Sequence, residues 1–336
     1  MSTIREIAKL ANVSVASVSR ALNNDTKYKM TTSTYNRIID AAKQLDYKLD
    51  QSLKTQGKGT IISNIKIGCI LSVTKDKYND PYFMSILSGV ESRLLSKGYE
   101  LSFLKTGPEL SDPKNLQITL KEDISGLILM ESLNCDTYDI IKNHVPHIVG
   151  IDTKRTDIDN IGYDHYDIAT LAVEYLIKKG HSNIGFIGGS GNDKDLKNSL
   201  RYRGYLSAMH IADLKINNNW VMDCRWDEKL CMELVKNQYK SSTQPTALFV
   251  ASDLMAMAAL SALYEIGKKV PEQVAVIGLS NIELSKYSNP PLTTMEVPTK
   301  EIGFAAVDML LARINGDDLP PRKVTFPTSL VLRSST

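Results

Sequence analysis

TIREIAKLANVSVASVSRALNNDTKYKMTTSTYNRIIDAAKQLDY, residues Thr3 to Tyr47, is the stretch from which the rest of the chain is read. Ile4, Ile7, Ala8 and Ala11 recur at helical spacing and give one face of a first helix. Thr3 followed by Glu6 has the form of a capping box, hydroxyl and carboxylate each satisfying an orphan amide. Asn12-Val13 interrupts the pattern, and Ser14 can cap a second helix that turns Val18 and Leu22 inward. After the polar segment 23–29, Thr31 or Thr32 can start a third helix with Tyr35, Ile38, Ile39, Ala42 and Leu45 on its buried face.

Two short helices joined by a tight turn, the second beginning with small polar residues, make a helix-turn-helix. The second helix of that motif enters the major groove, and its first residues meet base edges. Here those residues are Val15, Ala16, Ser17 and, one turn later, Arg20. Val15 and Ala16 can pack on thymine methyls, while an arginine can chelate guanine for about 1–3 kcal/mol of discrimination. The competing reading is a three-helix fragment with an idle surface arginine.

Charge agrees with the motif. The 336-residue chain carries net +2, but residues 1–60 hold ten Lys/Arg against five Asp/Glu, which leaves the remainder at −3. A basic headpiece on a mildly acidic body fits a nucleic-acid module joined to something else. Cys69, Cys135, Cys224 and Cys231 show no CxxC spacing and read as buried free thiols in a reducing cytoplasm. No apolar signal core or membrane-length run appears, so a cytoplasmic location without a membrane partner is expected.

IREIAKLANVSVASVSRALN resembles, in nearly every position, the N-terminal signature of the lactose-repressor/galactose-repressor (LacI/GalR) family of transcriptional repressors. The resemblance implies operator DNA as partner, met by Thr3, Ser14, Val15, Ala16, Ser17, Ser19, Arg20 and Asn23. Family members usually follow the tyrosine with Pro-Asn, then Ala-Arg and a leucine on a hinge helix that wedges into the minor groove. This chain has Leu49 and Asp50 in place of Pro-Asn and Gln56 in the leucine position. Leu53 can substitute in a shifted register, but Gly57 and Gly59 disfavour a helix, so a plain tether is an equal reading. The boundaries expected are a headpiece at 1–47, a linker at 48–61 and a two-lobed sugar-binding and dimerisation domain at 62–336.

Beyond the linker the chain alternates. Strand-like apolar runs fall at 65–73, 100–104, 125–130, 147–151, 183–188, 246–251 and 274–279, with helical patterns such as 83–97, 168–179, 195–210 and 254–266 between them. This is an α/β pattern, parallel strands with crossover helices on both faces. Ligands in such sheets sit beyond the carboxyl ends of the strands. The polar residues there are Ser72, the run Asn79-Asp80-Pro81-Tyr82-Phe83, Asp152, Ser252-Asp253 and Ser280-Asn281. Taken one at a time, each is equally a cap or a turn residue.

KIGCILSVTKDKYNDPYF, DNIGYDHYD, KKGHSNIGFIGG, RYRGY, ALFVASDLMAMAALSAL and NPPLTT extend the resemblance to the family's periplasmic-binding-protein type 1 effector domain. Within the family the wording is most similar to galactose-operon and evolved β-galactosidase repressors. By that resemblance Arg201 is the effector arginine, Asp152 the acid at its strand end, and Ser72 the first-strand serine. Tyr163 and Trp226 line the sugar ring, Tyr82 belongs to the same set, and Ser252 stands beside Asp253 where asparagine is usual. Ser280, followed by Asn281, replaces the family's sugar-binding aspartate, so either neutral groups hold the hydroxyls or the effector differs.

Three crossings between lobes are expected, with the turns at 289–291 and 316–321 as their sites. Enzyme readings lack support. His144, His147, His165, His181 and His210 show no HExxH or paired spacing for a metal, and Asn192 spoils a GxSxG reading of the run from Gly188. No GxGxxG or GxxxxGK[ST] is present, so no cofactor is expected and an NAD-dependent dehydrogenase is the distant alternative. The expectation is a homodimeric, sequence-specific repressor of a sugar operon, released by galactose or a galactoside. A family member answering to another sugar or to a co-repressor is the alternative, and a free-standing sugar-binding protein is a further one.

Overall fold

The computed structural model describes residues 3–22, 30–45, 65–73, 79–190 and 195–336. Asn23, Leu53 and the 48–61 linker lie outside them. Two compact units divide the chain, Met1–Ser63 and Asn64–Thr336.

The first unit is built from α1 (Ile4–Ala11), α2 (Val15–Leu22) and α3 (Thr32–Gln44). Thr3 and Glu6 form the capping box, Glu6 N donating to Thr3 Oγ1 at 3.4 Å and Thr3 N to Glu6 Oε2 at 2.7 Å. Asn12 takes left-handed φ (50°), which lets α1 end and the chain turn. Ser14 Oγ then accepts from Ser17 N at 3.0 Å to open α2. Ile7, Ala8, Ala11, Val18, Ala21, Ile38, Ala41 and Ala42 form the core. The expected face of α3 needs one correction. Tyr35 is 39 % exposed, because the buried stripe begins a turn later at Ile38 and runs through Ala41 and Ala42.

The second unit has two six-stranded sheets, ordered β11-β5-β4-β3-β1-β2 and β12-β10-β9-β8-β6-β7. The first lobe's strands are β1 (Ile67–Leu71), β2 (Leu101–Thr106), β3 (Gly126–Met130), β4 (Ile148–Ile151), β5 (Asp159–Tyr163) and β11 (Lys323–Phe326). The second lobe's are β6 (Ile184–Gly188), β7 (Val221–Asp223), β8 (Ala247–Val250), β9 (Ala275–Ser280), β10 (Thr293–Glu296) and β12 (Ser329–Val331). Every pairing is parallel except that of β10 with β12.

Burial on both faces explains the unbroken apolar runs. On β3, Ile128 and Met130 join a core shared by both lobes, while Leu127 and Leu129 face a second cluster with α5 (Gly107–Leu110), α6 (Pro113–Leu120) and α7 (Cys135–His144). Of the four cysteines expected to be buried, Cys135 is exposed, standing at the start of α7. On β8, Phe249 joins the shared core, and Leu248 and Val250 face a cluster with α10 (Glu228–Gln238) and α11 (Asp253–Glu265). The other faces carry α4 (Pro81–Ser96) with α12 (Thr299–Ile314), and α8 (His165–Lys178) with α9 (Leu200–Ile211). Glycines let α4 and α12 touch: a Cβ on Gly303 would stand 2.4 Å from Ile86 O.

The chain crosses between lobes three times, but not at the expected turns. The crossings are Asp164, between β5 and α8; 297–298, between β10 and α12; and 327–328, between β11 and β12. The turns at 289–291 and 316–321 stay within a lobe, leading to β10 and β11 respectively. Each true crossing is one or two residues long, too short for a glycine- and proline-rich cluster to mark it. No helix among the described residues is long and apolar enough to cross a membrane.

Candidate functional site

On α2, Ser14, Val15, Ala16 and Arg20 are exposed, and Ser17 and Ser19 half-buried, so the helix presents its first turn outward while Val18 anchors it. Thr3 is exposed but has a second task as the cap of α1. That arrangement gives an exposed surface of short side chains with one long cation.

In the body, the strand exits converge on a cleft between the lobes. From the first lobe, Asp152 follows β4 and Tyr163 ends β5. Tyr82, in the first turn of α4, donates its hydroxyl to Asp152 Oδ2 at 3.1 Å. His165 Nε2 stands 3.2 Å from Asp152 Oδ1, and its ring stacks on Tyr163 at 4.1 Å between centroids. From the second lobe, Arg201 on α9 donates to the Tyr163 hydroxyl at 2.6 Å, a bond that spans the cleft. Trp226 lies beside it, its ring 5.5 Å from the guanidinium carbon. Gly189 gives that indole room, since a Cβ there would stand 2.5 Å from the ring.

Backbone conformation marks the same places. Glu131, Asp152, Trp226 and Asn281 have φ of 64°, 52°, 59° and 53°, each just beyond a strand of the body. Left-handed non-glycine residues cost of order 1–3 kcal/mol each and persist where the surroundings fix them, often at binding sites. Asp223 helps fix Trp226 by accepting from Ser190 N and Arg225 N, both at 3.0 Å.

Electrostatically, the buried cation of the cleft is Arg201. Burial works against the Arg201 charge, but Tyr163, Tyr82 and Glu131 around it raise its pKa. Burial, reinforced by Arg201, pushes His165 down, favouring the neutral imidazole. Burial and then Asp152 push Glu131 up to about 7, with Arg201 and Lys154 pulling the other way. Glu131 and His165 were missed in the sequence. Glu131 follows β3 directly, so the rule that singled out Asp152 applies to it equally. His165 shows no metal spacing, and only its nearness to Tyr163 could have marked it.

Other expected residues have different duties. Asp253 is fully buried, accepting from Ile282 N (2.9 Å) and the Thr294 hydroxyl (2.5 Å), with burial pushing it up to about 6. It braces the turn after β9, each carboxylate oxygen holding a bond within the protein. The Asn281 amide is likewise engaged, accepting from Arg333 Nη2 at 2.6 Å and donating to Glu296 at 3.2 Å. Ser72 Oγ donates to Ser132 O at 2.8 Å. Ser252 and Ser280 are half-buried; Ser252 stands at the N-cap of α11 without a side-chain capping bond. The first lobe also has a depression of about 510 Å³ lined by Ile65, Ser125, His144 and His147, at the amino ends of its strands and so away from the cleft.

Residues 3–50 match the family model for bacterial regulatory proteins of the lacI family, and residues 173–336 match a periplasmic binding protein-like domain. Curated relatives include the HTH-type transcriptional repressor PurR of Pasteurella multocida, 33% identical over 343 residues, covering 100% of this chain and 98% of the relative. PurR of Aliivibrio fischeri strain MJ11 is 33% identical over 349 residues, with the same coverage. These relatives carry the name PurR, not that of a galactose-operon repressor, which corrects the finer likeness expected above. Among solved structures, the lac repressor dimer bound to operator and the anti-inducer ONPF aligns with TM-score 0.72 and 24% identity, over 99% of this chain and 98% of that one. A transcriptional regulator CelR–cellobiose complex aligns with TM-score 0.73 and 23% identity, over 100% of both chains. At these identities the two structures speak for the fold alone.

Proposed function

Because the chain belongs to the LacI family of bacterial transcriptional regulators, we propose that its body sets the grip of a DNA-reading headpiece through a small polar effector held in the interlobe cleft. The chain is a DNA-binding transcriptional repressor of that family, and its relatives are repressors, not enzymes. The observation carrying the effector reading is the Arg201–Tyr163 bond across the cleft, with Trp226 beside it. A ring compound that inserts there would meet groups from both lobes, so its affinity depends on how far the lobes close.

Galactose has no special claim. The relatives carry another name, and the exit of β9 offers Ser280 and an engaged Asn281 in place of the aspartate that the family resemblance would put there. Another sugar, or a co-repressor with a flat polar ring, is the better-supported effector. Thermal shift of the full chain against galactose, other hexoses, pentoses and purine bases tests this. A stabilisation by one of the other compounds exceeding that by galactose is expected; galactose alone stabilising the protein would restore the galactoside reading.

On DNA, two copies would place two α2 helices on a near-palindromic site. Arg20→Ala is expected to weaken binding to the operator by about 1–3 kcal/mol while changing binding to unrelated duplex much less. Fluorescence anisotropy on both duplexes measures this, and equal losses would make Arg20 a phosphate contact and not a base reader.

A further inference from the structure

Hydrogen bonding separates the groups that hold the cleft together from those left to meet a ligand. Asp152 is occupied: Tyr82 donates to one oxygen, His165 stands against the other, and Gly162 leaves the carboxylate its seat, since a Cβ there would lie 2.0 Å from Oδ1. Glu131 holds the matching place on the next strand. β3 and β4 pair in register as far as Met130 and Ile151, so the following residues, Glu131 and Asp152, are neighbours across a strand spacing of about 4.8 Å. Among the described residues, no hydrogen bond or ion pair engages the Glu131 carboxyl. Arg201 Nε is buried and also lacks a partner there. An unsatisfied buried donor is costly, and a ligand acceptor would recover that cost.

We propose that Glu131 completes the effector contact of Arg201, its carboxyl and the Arg201 Nε together meeting an effector that presents a hydrogen-bond donor beside an acceptor. This rests on the effector reading above and deepens it. Adjacent sugar hydroxyls and the N–H/C=O edge of a planar heterocycle share that chemistry. The groups facing Glu131 and its neighbours are Asp152, Lys154, Arg201, Tyr82, Tyr163 and His165. Burial and the adjacent Asp152 hold back ionisation of Glu131 until about pH 7. The ionised form is the better acceptor, so effector affinity rises with pH through neutrality.

The test uses the full chain, with D-galactose, D-glucose, D-ribose, hypoxanthine and guanine as probes. The compound raising the wild-type melting temperature most is titrated calorimetrically at pH 6 and pH 8, against wild type, Glu131→Gln and Glu131→Asp. Wild type is expected to bind about tenfold more tightly at pH 8, the change in ionised fraction for one group titrating near 7. Glu131→Gln is expected to lose that slope and to bind at least about tenfold more weakly at pH 8, and Glu131→Asp to regain the slope. Retention of both slope and affinity in Glu131→Gln overturns the inference and leaves the effector reading standing. No stabilisation of wild type by any probe overturns that reading and the inference with it. A sugar or a base as the leading compound identifies which source of the shared chemistry the cleft accepts.

Discussion

Arg313→Ala is expected to lower the unfolding free energy of the body by about 3 kcal/mol and to blunt its sensitivity to acid. Arg313, on α12, grips Asp159 at the start of β5 with two bonds, Nε to Oδ2 at 2.6 Å and Nη2 to Oδ1 at 2.9 Å. Its remaining donors cap the following turn, reaching Asp317 O at 2.9 Å, Leu319 O, and Pro320 O at 3.2 Å. One guanidinium therefore ties a helix, a strand and the lead into β11. The Asp159 side chain is 0 % exposed and that of Arg313 only 14 %. Removing one partner of such a pair strands a buried charge, at about 3–5 kcal/mol. The lower end applies because Arg322 stays near, its backbone N donating to Asp159 Oδ1 at 2.7 Å. Burial alone would raise the Asp159 pKa, but the Arg313 bonds and the Arg322 amide outweigh it and lower the value. A carboxyl with a depressed folded pKa adds stability above its unfolded value of about 3.9, and that stability is lost as the pH falls through the folded value. Wild type should therefore lose stability in acid below about pH 4, and Arg313→Ala should lose less. Urea unfolding followed by far-UV circular dichroism at pH 7 and at acid pH measures both; a loss under about 1 kcal/mol would make the clamp a surface pair in effect.

This clamp was invisible in the sequence, and the reason is general. Asp159 and Arg313 are separated by 154 positions, and nothing in the periodicity of either segment announces a long-range ion pair. What periodicity does encode was legible. The runs that became β1, β3, β4, β6, β8 and β9 are apolar because both sheet faces are covered, and the capping box at Thr3 and Glu6 formed where its spacing put it. The short edge strands β11 and β12 escaped notice, being half-exposed and only four and three residues long. Strand exits pointed to the cleft as a place but not to the duty of each residue there. Asp253 and Glu131 both stand at the carboxyl ends of strands, yet one is consumed by Ile282 and Thr294 and the other faces the cleft without such partners. The difference lies in which loops fold over each acid, which local spacing does not specify.

Arg201→Ala is expected to uncouple effector from operator while leaving DNA binding intact. Arg201 is the cation of a cleft that also holds Asp152 and Glu131, and it carries the bond to Tyr163 across the lobes. Charge-assisted hydrogen bonds contribute about 1.5–3 kcal/mol each. Losing the Nε donor, together with the cation that pulls Glu131 down, should cost about 2.7 kcal/mol of effector affinity, roughly hundredfold. Arg201→Lys should recover little of this, because a point charge cannot reproduce a planar fork that reaches Tyr163 and a ligand together. Calorimetry with the compound that stabilises wild type measures the loss; unchanged affinity would remove Arg201 from the site. The consequence for switching is larger than the affinity change suggests. Driving a two-state equilibrium from 1:99 to 99:1 needs about 5.5 kcal/mol of preference for one state. On the proposed reading, the contribution of Arg201 belongs to one closure state and not the other. Deleting about half of that preference would leave the saturated protein near an even mixture, so the operator would be only partly released, or partly gripped, however much effector was added. Operator occupancy against effector concentration would then plateau near half, where a simple affinity loss would only shift the midpoint.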